Sequence, residues 1–205
     1  YVMRGSIMIK ITNLSYKDIL KKIEVEIPKG IIFLKGRNGA GKSTLLDCIC
    51  KLNNDYTGTI TGNESVLYLN QNFYFDYKLK CKDFIKFVME LEGKKITREE
   101  FFRDFFYSQE KTEKLWSTPI GMLSGGERAK IFFNIIAFID REWYILDEPF
   151  AGVDEEGVCF MKNVISELNK KGKGIIITSH EKSGLDELPL RKTYLMREGM
   201  LEEVA

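Results

Sequence analysis

Apolar and polar residues alternate through Ile7, Ile9 and Ile11 and again through Ile23, Val25 and Ile27, with a polar break around Lys17 and Asp18. A period of two turns one face of each segment toward a core, which predicts two strands of a half-buried sheet, closed by "PKG" at 28–30. The run "IIFLK" at 31–35 is almost continuously apolar, as a strand covered on both faces must be. Spacing then becomes helical in "STLLDCICKL" at 43–52, through Leu45, Leu46, Ile49 and Leu52. "TGTITG" and "SVLYLNQ" predict two more short strands. From Phe73 to about Met122 the pattern is helical, around 81–92 and 97–107, dense in aromatics and charge with no obvious strand. This stretch, 72–122, is expected to be an inserted helical subdomain. A helix over 125–139, a buried strand "WYILD" at 143–147, a helix over 155–171 stopped by Gly172, and a buried strand "GIIITSH" at 174–180 complete the pattern. Strands that alternate with helices imply a largely parallel α/β sheet covered on both faces.

Composition narrows this little. A chain of 205 residues fits one domain, here 7–205, with room for an insertion. With 31 Lys+Arg against 30 Asp+Glu there is no basic excess to hold a phosphate backbone, so no direct nucleic-acid partner is expected. The four cysteines, Cys48, Cys50, Cys81 and Cys159, lack CxxC spacing and read as reduced thiols. The longest apolar run, "IFFNIIAFI" at 131–139, is about half a membrane span. Residues 1–6, "YVMRGS", carry no pattern and read as an added leader.

The chemistry sits between strand 31–35 and helix 43–52. Gly36, Gly41, Lys42 and Ser43 in "GRNGAGKST" satisfy G-x-x-x-x-G-K-[ST]. Glycines let the backbone curl its N–H groups around a β-phosphate, while the helix that follows aims its positive end at the same charge. Lys42 bridges β- and γ-phosphates and Ser43 ligates Mg²⁺ in such a loop. Asp147 and Glu148 emerge at the end of an apolar strand, where a parallel sheet delivers them to the same edge. Asp147 is suited to holding Mg²⁺ through its water shell and Glu148 to polarising an attacking water, so hydrolysis is expected as well as binding.

"LSGGE" at 123–127 lies about twenty residues before that strand. Together with "GRNGAGKST", Gln71, "DEP" at 147–149, "AGVD" at 151–154 and His180, its order and spacing resemble an ABC-type ATPase, the nucleotide-binding cassette of ABC transporters, from about Ile9 to the C-terminus. The resemblance implies an α/β fold: a P-loop NTPase core with a mainly parallel sheet, an N-terminal antiparallel β subdomain and an inserted α-helical subdomain. It implies ATP and Mg²⁺ as cofactors, bound by Gly36, Arg37, Asn38, Gly39, Ala40, Gly41, Lys42, Ser43 and Thr44. Gln71 would contact Mg²⁺ and water beside Ser43 and Asp147. His180 would reach the γ-phosphate and position Glu148 or the water. Tyr16 matches the position that stacks on adenine, though a strand tyrosine is as often core.

In this family two cassettes pair head to tail, and "LSGGE" of one closes on the γ-phosphate held by the other. Ser124, Gly125, Gly126 and Glu127 take that role here; alone, the same residues would be ordinary helix capping. Glu127 stands where Gln is commoner, and "RAKIFFNIIAFI" lacks the usual alternating alanines and arginine. "AGVD" resembles the "GLD" loop frequent in exporter-like systems. The implied partners are a second cassette and a transmembrane permease on another chain, which would hold this chain on the cytoplasmic face of the membrane. A soluble ATP-driven clamp on nucleic acid or ribosomes is the alternative, without the long coiled coils or paired cassettes of such relatives. A GTPase-like switch is disfavoured by "LSGGE".

Overall fold

The computed structural model describes residues 8–70, 78–103, 108–179 and 185–204. They fall into two compact units, one of 1–71, 141–151 and 165–205, the other of 72–140 and 152–164.

In the first unit, the alternating N-terminal segments form strands β1 (Met8–Tyr16) and β2 (Leu20–Pro28), antiparallel across the polar turn at Lys17 and Asp18. With β4 (Thr57–Thr61) they make a three-stranded sheet in the order β2-β1-β4. Its apolar face, Ile9, Ile11, Leu14, Leu20, Ile23 and Ile27, is buried. A larger sheet has the order β5-β6-β7-β3-β8-β9, built from β3 (Gly30–Gly36), β5 (Val66–Leu69), β6 (Trp143–Asp147), β7 (Gly174–Thr178), β8 (Leu190–Arg197) and β9 (Met200–Val204). Every neighbouring pair is parallel except β8 with β9. Strands β6 and β7 are buried throughout, in keeping with their unbroken apolar runs. Ile32, Leu34, Trp143, Ile145 and Ile176 from this sheet share one core with the small sheet and with helix α1 (Lys42–Ile49) through Leu45, Leu46 and Ile49.

Register positions the chemistry. Thr178 is level with Leu34 on one side and Asp147 on the other, at the carboxyl ends of three adjacent strands. At the opposite edge Glu142 accepts from both Lys29 and Lys173, tying together the entrances of β3, β6 and β7.

The second unit is helical among its described residues: α2 (Cys81–Leu91), α3 (Arg98–Phe101), α4 (Gln109–Ser117), α5 (Gly125–Phe138) and the first part of α6 (Glu155–Lys170). Phe101 is its aromatic centre, with ring centroids 5.1 Å from Phe102, 5.9 Å from Phe138 and 6.1 Å from Trp116. The polar break in "IFFNIIAFI" has a structural cause, since buried Asn134 donates its amide to the Phe101 carbonyl.

Three details depart from the expected pattern. Helix α1 stops at Ile49, with Lys51 in a left-handed conformation (φ 60°) and Leu52 67% exposed. The helix expected over 97–107 is a single turn, α3, fixed by a capping box between Thr97 and Glu100; residues 104–107 lie outside the described set. Helix α4 and the hairpin β8–β9 were not expected at all.

Candidate active site

Strand β3 delivers the glycine loop. Gly36 crosses β8 so closely that a Cβ there would lie 2.5 Å from the Met196 carbonyl oxygen. Gly41 holds φ 105°, a conformation side chains disfavour, and stands as the N-cap of α1. No side chain caps this helix and its first turn contains no acid. The positive end of this helix is therefore suited to an anion from outside the chain. Arg37, Asn38 and Gly39 form the outer rim, Ala40 packs inward and donates its N–H to the Arg37 carbonyl at 3.1 Å, and Thr44 is half-buried in the first turn. Lys42 is buried, its Nζ donating to the carbonyls of Gly36 (2.8 Å) and Arg37 (3.3 Å). The ammonium thus lies folded into the loop at the place a phosphate oxygen would compete for it.

Behind the loop lies a ring of hydroxyls around one carboxylate. Ser43 Oγ donates to Asp147 Oδ2 at 3.0 Å, Tyr68 OH donates to the same oxygen at 3.4 Å, and Thr178 Oγ1 donates to Oδ1 at 2.5 Å. Glu148 follows with φ 54°, and its N–H donates to Thr178 Oγ1 at 2.9 Å. Asp147 and Thr178 are buried while Ser43 is exposed, so the cluster has a sealed back and an open front.

Its electrostatics favour a cation. Burial, and then the charge of Asp147, push the Asp47 carboxyl up. Burial and both aspartates push the Tyr68 phenol up, and the Cys50 thiol rises to about 12 for the same reasons. Negative charge here is desolvated and concentrated. The front donors, a serine hydroxyl and a carboxylate, are hard oxygens of the kind Mg²⁺ accepts. No group of three or more His, Cys, Asp or Glu fit to hold a metal occurs among the described residues. An ion here would complete its shell with water and phosphate, as Mg²⁺ characteristically does.

Tyr16 is half-buried at the end of β1, with Lys17 Nζ 4.9 Å from its ring centroid. In the second unit Ser124 is the N-cap of α5. It accepts from the Glu127 N–H at 3.1 Å, while Glu127 Oε2 accepts from the Ser124 N–H at 3.0 Å. This capping box explains the acid at position 127, since Glu serves the reciprocal bond as well as Gln. Capping and anion binding are compatible, because the cap uses a lone pair of the hydroxyl and leaves its proton to donate. One turn on, buried Lys130 pairs with Glu156 at 2.9 Å and reaches Asp154 at 3.9 Å. Asp154 in turn accepts from the Gly157 N–H at 2.8 Å, so helix α5, which "LSGGE" opens, is tied through Lys130 to Asp154 at the end of "AGVD".

Gln71 and His180 lie outside the described residues. Two residues near the chemistry were missed from sequence: Thr178, whose only signal is a hydroxyl closing the run "GIIIT", and Tyr68, one polar ring tip in a short strand.

The profile of the family described as ABC transporter matches residues 20–151. An ABC transporter ATP-binding protein of Methanocaldococcus jannaschii is 32% identical, over 96% of this chain and 79% of its own length. The tungstate uptake system ATP-binding protein of Campylobacter jejuni is 30% identical over 95% of this chain, which spans 63% of that protein's length. Among solved structures, the ATP-binding subunit of an ABC transporter superposes with a TM-score of 0.80 at 19% identity, covering 97% of this chain and 90% of the other.

Proposed function

Since the chain belongs to the ABC transporter family as an ATP-binding subunit, we propose that it binds and hydrolyses Mg-ATP in a head-to-tail pair with a second cassette, most simply another copy of itself. In this reading the pair drives a separate transmembrane permease and is held by it at the cytoplasmic face of the membrane. The observation that carries the proposal is the Ser43–Asp147 hydrogen bond beside the uncapped start of α1. It sets a hard-oxygen pair beside the positive end of a helix that no side chain caps, the arrangement that suits a metal-chelated polyphosphate.

The roles follow from placement. The 36–44 loop would hold the β- and γ-phosphates, with Lys42 exchanging its loop carbonyls for phosphate oxygen. Ser43 and Asp147 would hold Mg²⁺, which would supply charge neutralisation for the phosphates. Glu148 would polarise the attacking water. We assign Tyr16 to the adenine face, Gln71 to the metal and water, His180 to the γ-phosphate, and Ser124, Gly125, Gly126 and Glu127 to the nucleotide of the second cassette. A monomer would then bind ATP but hydrolyse it slowly.

For the permease, the helical unit offers α2. Phe87 and Leu91, one turn apart, are 58% and 70% exposed on an otherwise amphipathic helix. A short helix from a membrane subunit laid against them would bury both. Phe73 and Phe75, in the aromatic stretch that precedes α2 in sequence, lie outside the described residues. For direction, the "AGVD" loop favours an exporter-type permease.

The test is recovery of tagged Glu148→Gln protein from native membranes with Mg-ATP, followed by mass spectrometry. A polytopic membrane protein in stoichiometric yield is the expected outcome. Ribosomal or chromosomal partners without one would replace this reading with the soluble clamp.

A further inference from the structure

Asp147 and Glu148 are neighbours in sequence with different assignments, metal and water, and both must be held in the right place by something other than themselves. Thr178 touches both. Its Oγ1 donates to Asp147 Oδ1 at 2.5 Å and accepts from the Glu148 N–H at 2.9 Å, and the side chain is wholly buried. The first contact fixes the carboxylate's rotation, so that Oδ2 faces Ser43 Oγ at 3.0 Å. The second fixes the backbone where it leaves the sheet. At Glu148 the chain takes φ 54°, a left-handed conformation that is uncommon for a residue with a Cβ and persists only where surroundings impose it. Thr178 reaches both because β6 and β7 pair in parallel with Asp147 level with Thr178.

We propose that Thr178 is a positioning residue for hydrolysis, a single hydroxyl that sets the metal-side carboxylate and the water-side glutamate in mutual register. It touches neither substrate nor metal and acts through Asp147 and Glu148. The inference rests on the ATPase reading above and extends it to a residue in a different strand.

Valine keeps the shape of threonine and removes the hydroxyl; serine keeps the hydroxyl and removes the methyl. Fluorescent-nucleotide binding without metal, its Mg²⁺ dependence, and steady-state turnover are measured for each variant in the assembled transporter. Thr178→Val should bind metal-free nucleotide as wild type does, need several-fold more Mg²⁺ for half-maximal tightening, and turn over at least about tenfold more slowly with little change in KM. Thr178→Ser should restore both metal dependence and turnover to within about threefold. Metal-free binding certifies folding, with Thr178→Ala as the substitute if the valine variant does not fold. A valine variant with wild-type Mg²⁺ dependence and turnover would overturn the proposal. So would a serine variant as impaired as valine, or loss of folding in both the valine and alanine variants, which would assign the hydroxyl to the core. Wild-type protein that neither binds nor hydrolyses Mg-ATP would instead remove the ATPase reading, leaving the two failures distinguishable.

Discussion

Glu148→Gln keeps the shape of the side chain and removes its basicity. Mg-ATP binding should persist while turnover falls about a hundredfold or more, and an ATP-bound dimer should accumulate on size exclusion; unchanged turnover would take the base role from Glu148. Lys42→Ala acts earlier, because its ammonium is the only side-chain cation folded among the described residues of the loop, and nucleotide binding itself should be lost in a filter assay. The thiols give a pH prediction. Burial and then the charge of Asp47 raise Cys48 from an ordinary 9.0 to about 11, and burial with the charges of Asp47 and Asp147 raises Cys50 to about 12. The unfolded chain therefore gives up these protons first as pH rises. The stability they contribute is whole below pH 9 and is lost as pH climbs toward 11 and 12, by at most about 1.4 kcal/mol per pH unit per thiol. Urea unfolding from pH 8 to 10.5 should show this slope, and the double variant Cys48→Ala, Cys50→Ala should flatten it. The candidate site was legible where it is contiguous: 36–44 and 147–148 stand out in the sequence, and the structure joins them through the Ser43–Asp147 hydrogen bond. Thr178 and Tyr68 were not legible, because their importance arises from the register of strands that are distant in sequence.

At the scale of elements, helix α5 depends on its first turn. The reciprocal bonds of Ser124 and Glu127 satisfy two N–H groups that would otherwise have no partner in the helix. Ser124→Ala should cost about 1 kcal/mol, seen as a fall of about 2–4 °C in Tm for a chain of this size, and should also weaken ATP-driven pairing. Glu127→Gln separates the two roles. It retains the cap geometry but removes a negative charge from a helix start assigned to a phosphate, so pairing should strengthen while Tm drops only slightly. Weaker pairing in Glu127→Gln would argue that the acid itself meets the nucleotide. The long helices were legible from length and apolar spacing, and the buried strands from continuous apolar runs. Helix α4 was not: only Thr112 and Leu115 are buried, too few to mark a face, and its evident signal is Ser108 as N-cap. The hairpin β8–β9 did carry a signal, the run Tyr194, Leu195 and Met196 before a turn at Gly199, but Leu195 between the two buried side chains breaks the period of two that marks a strand with one exposed face.

For the whole molecule, the proposed function raises the question of what would receive the work of an ATP-driven closure. The chain is nearly neutral, with 31 Lys+Arg against 30 Asp+Glu, and no helix among the described residues is long and apolar enough to cross a membrane. What the helical unit does present is apolar: Phe87 and Leu91 on α2, a helix whose opposite face is anchored through buried Cys81, Ile85 and Met89. Because the anchoring positions are separate from the exposed ones, the outer face can be altered without disturbing the core. The double variant Phe87→Ser, Leu91→Ser should therefore leave Tm within about 2 °C and leave nucleotide binding intact, since surface substitutions away from packing usually change stability by less than about 0.5 kcal/mol. If this face receives the permease, the variant should lose co-purification of the membrane subunit, together with any stimulation of ATPase activity by it. Retained co-purification would move the docking surface off α2. A fall in Tm of several degrees would instead show that the two side chains are packed in the assembled protein against this chain's own residues, and would return them to the core of the helical unit.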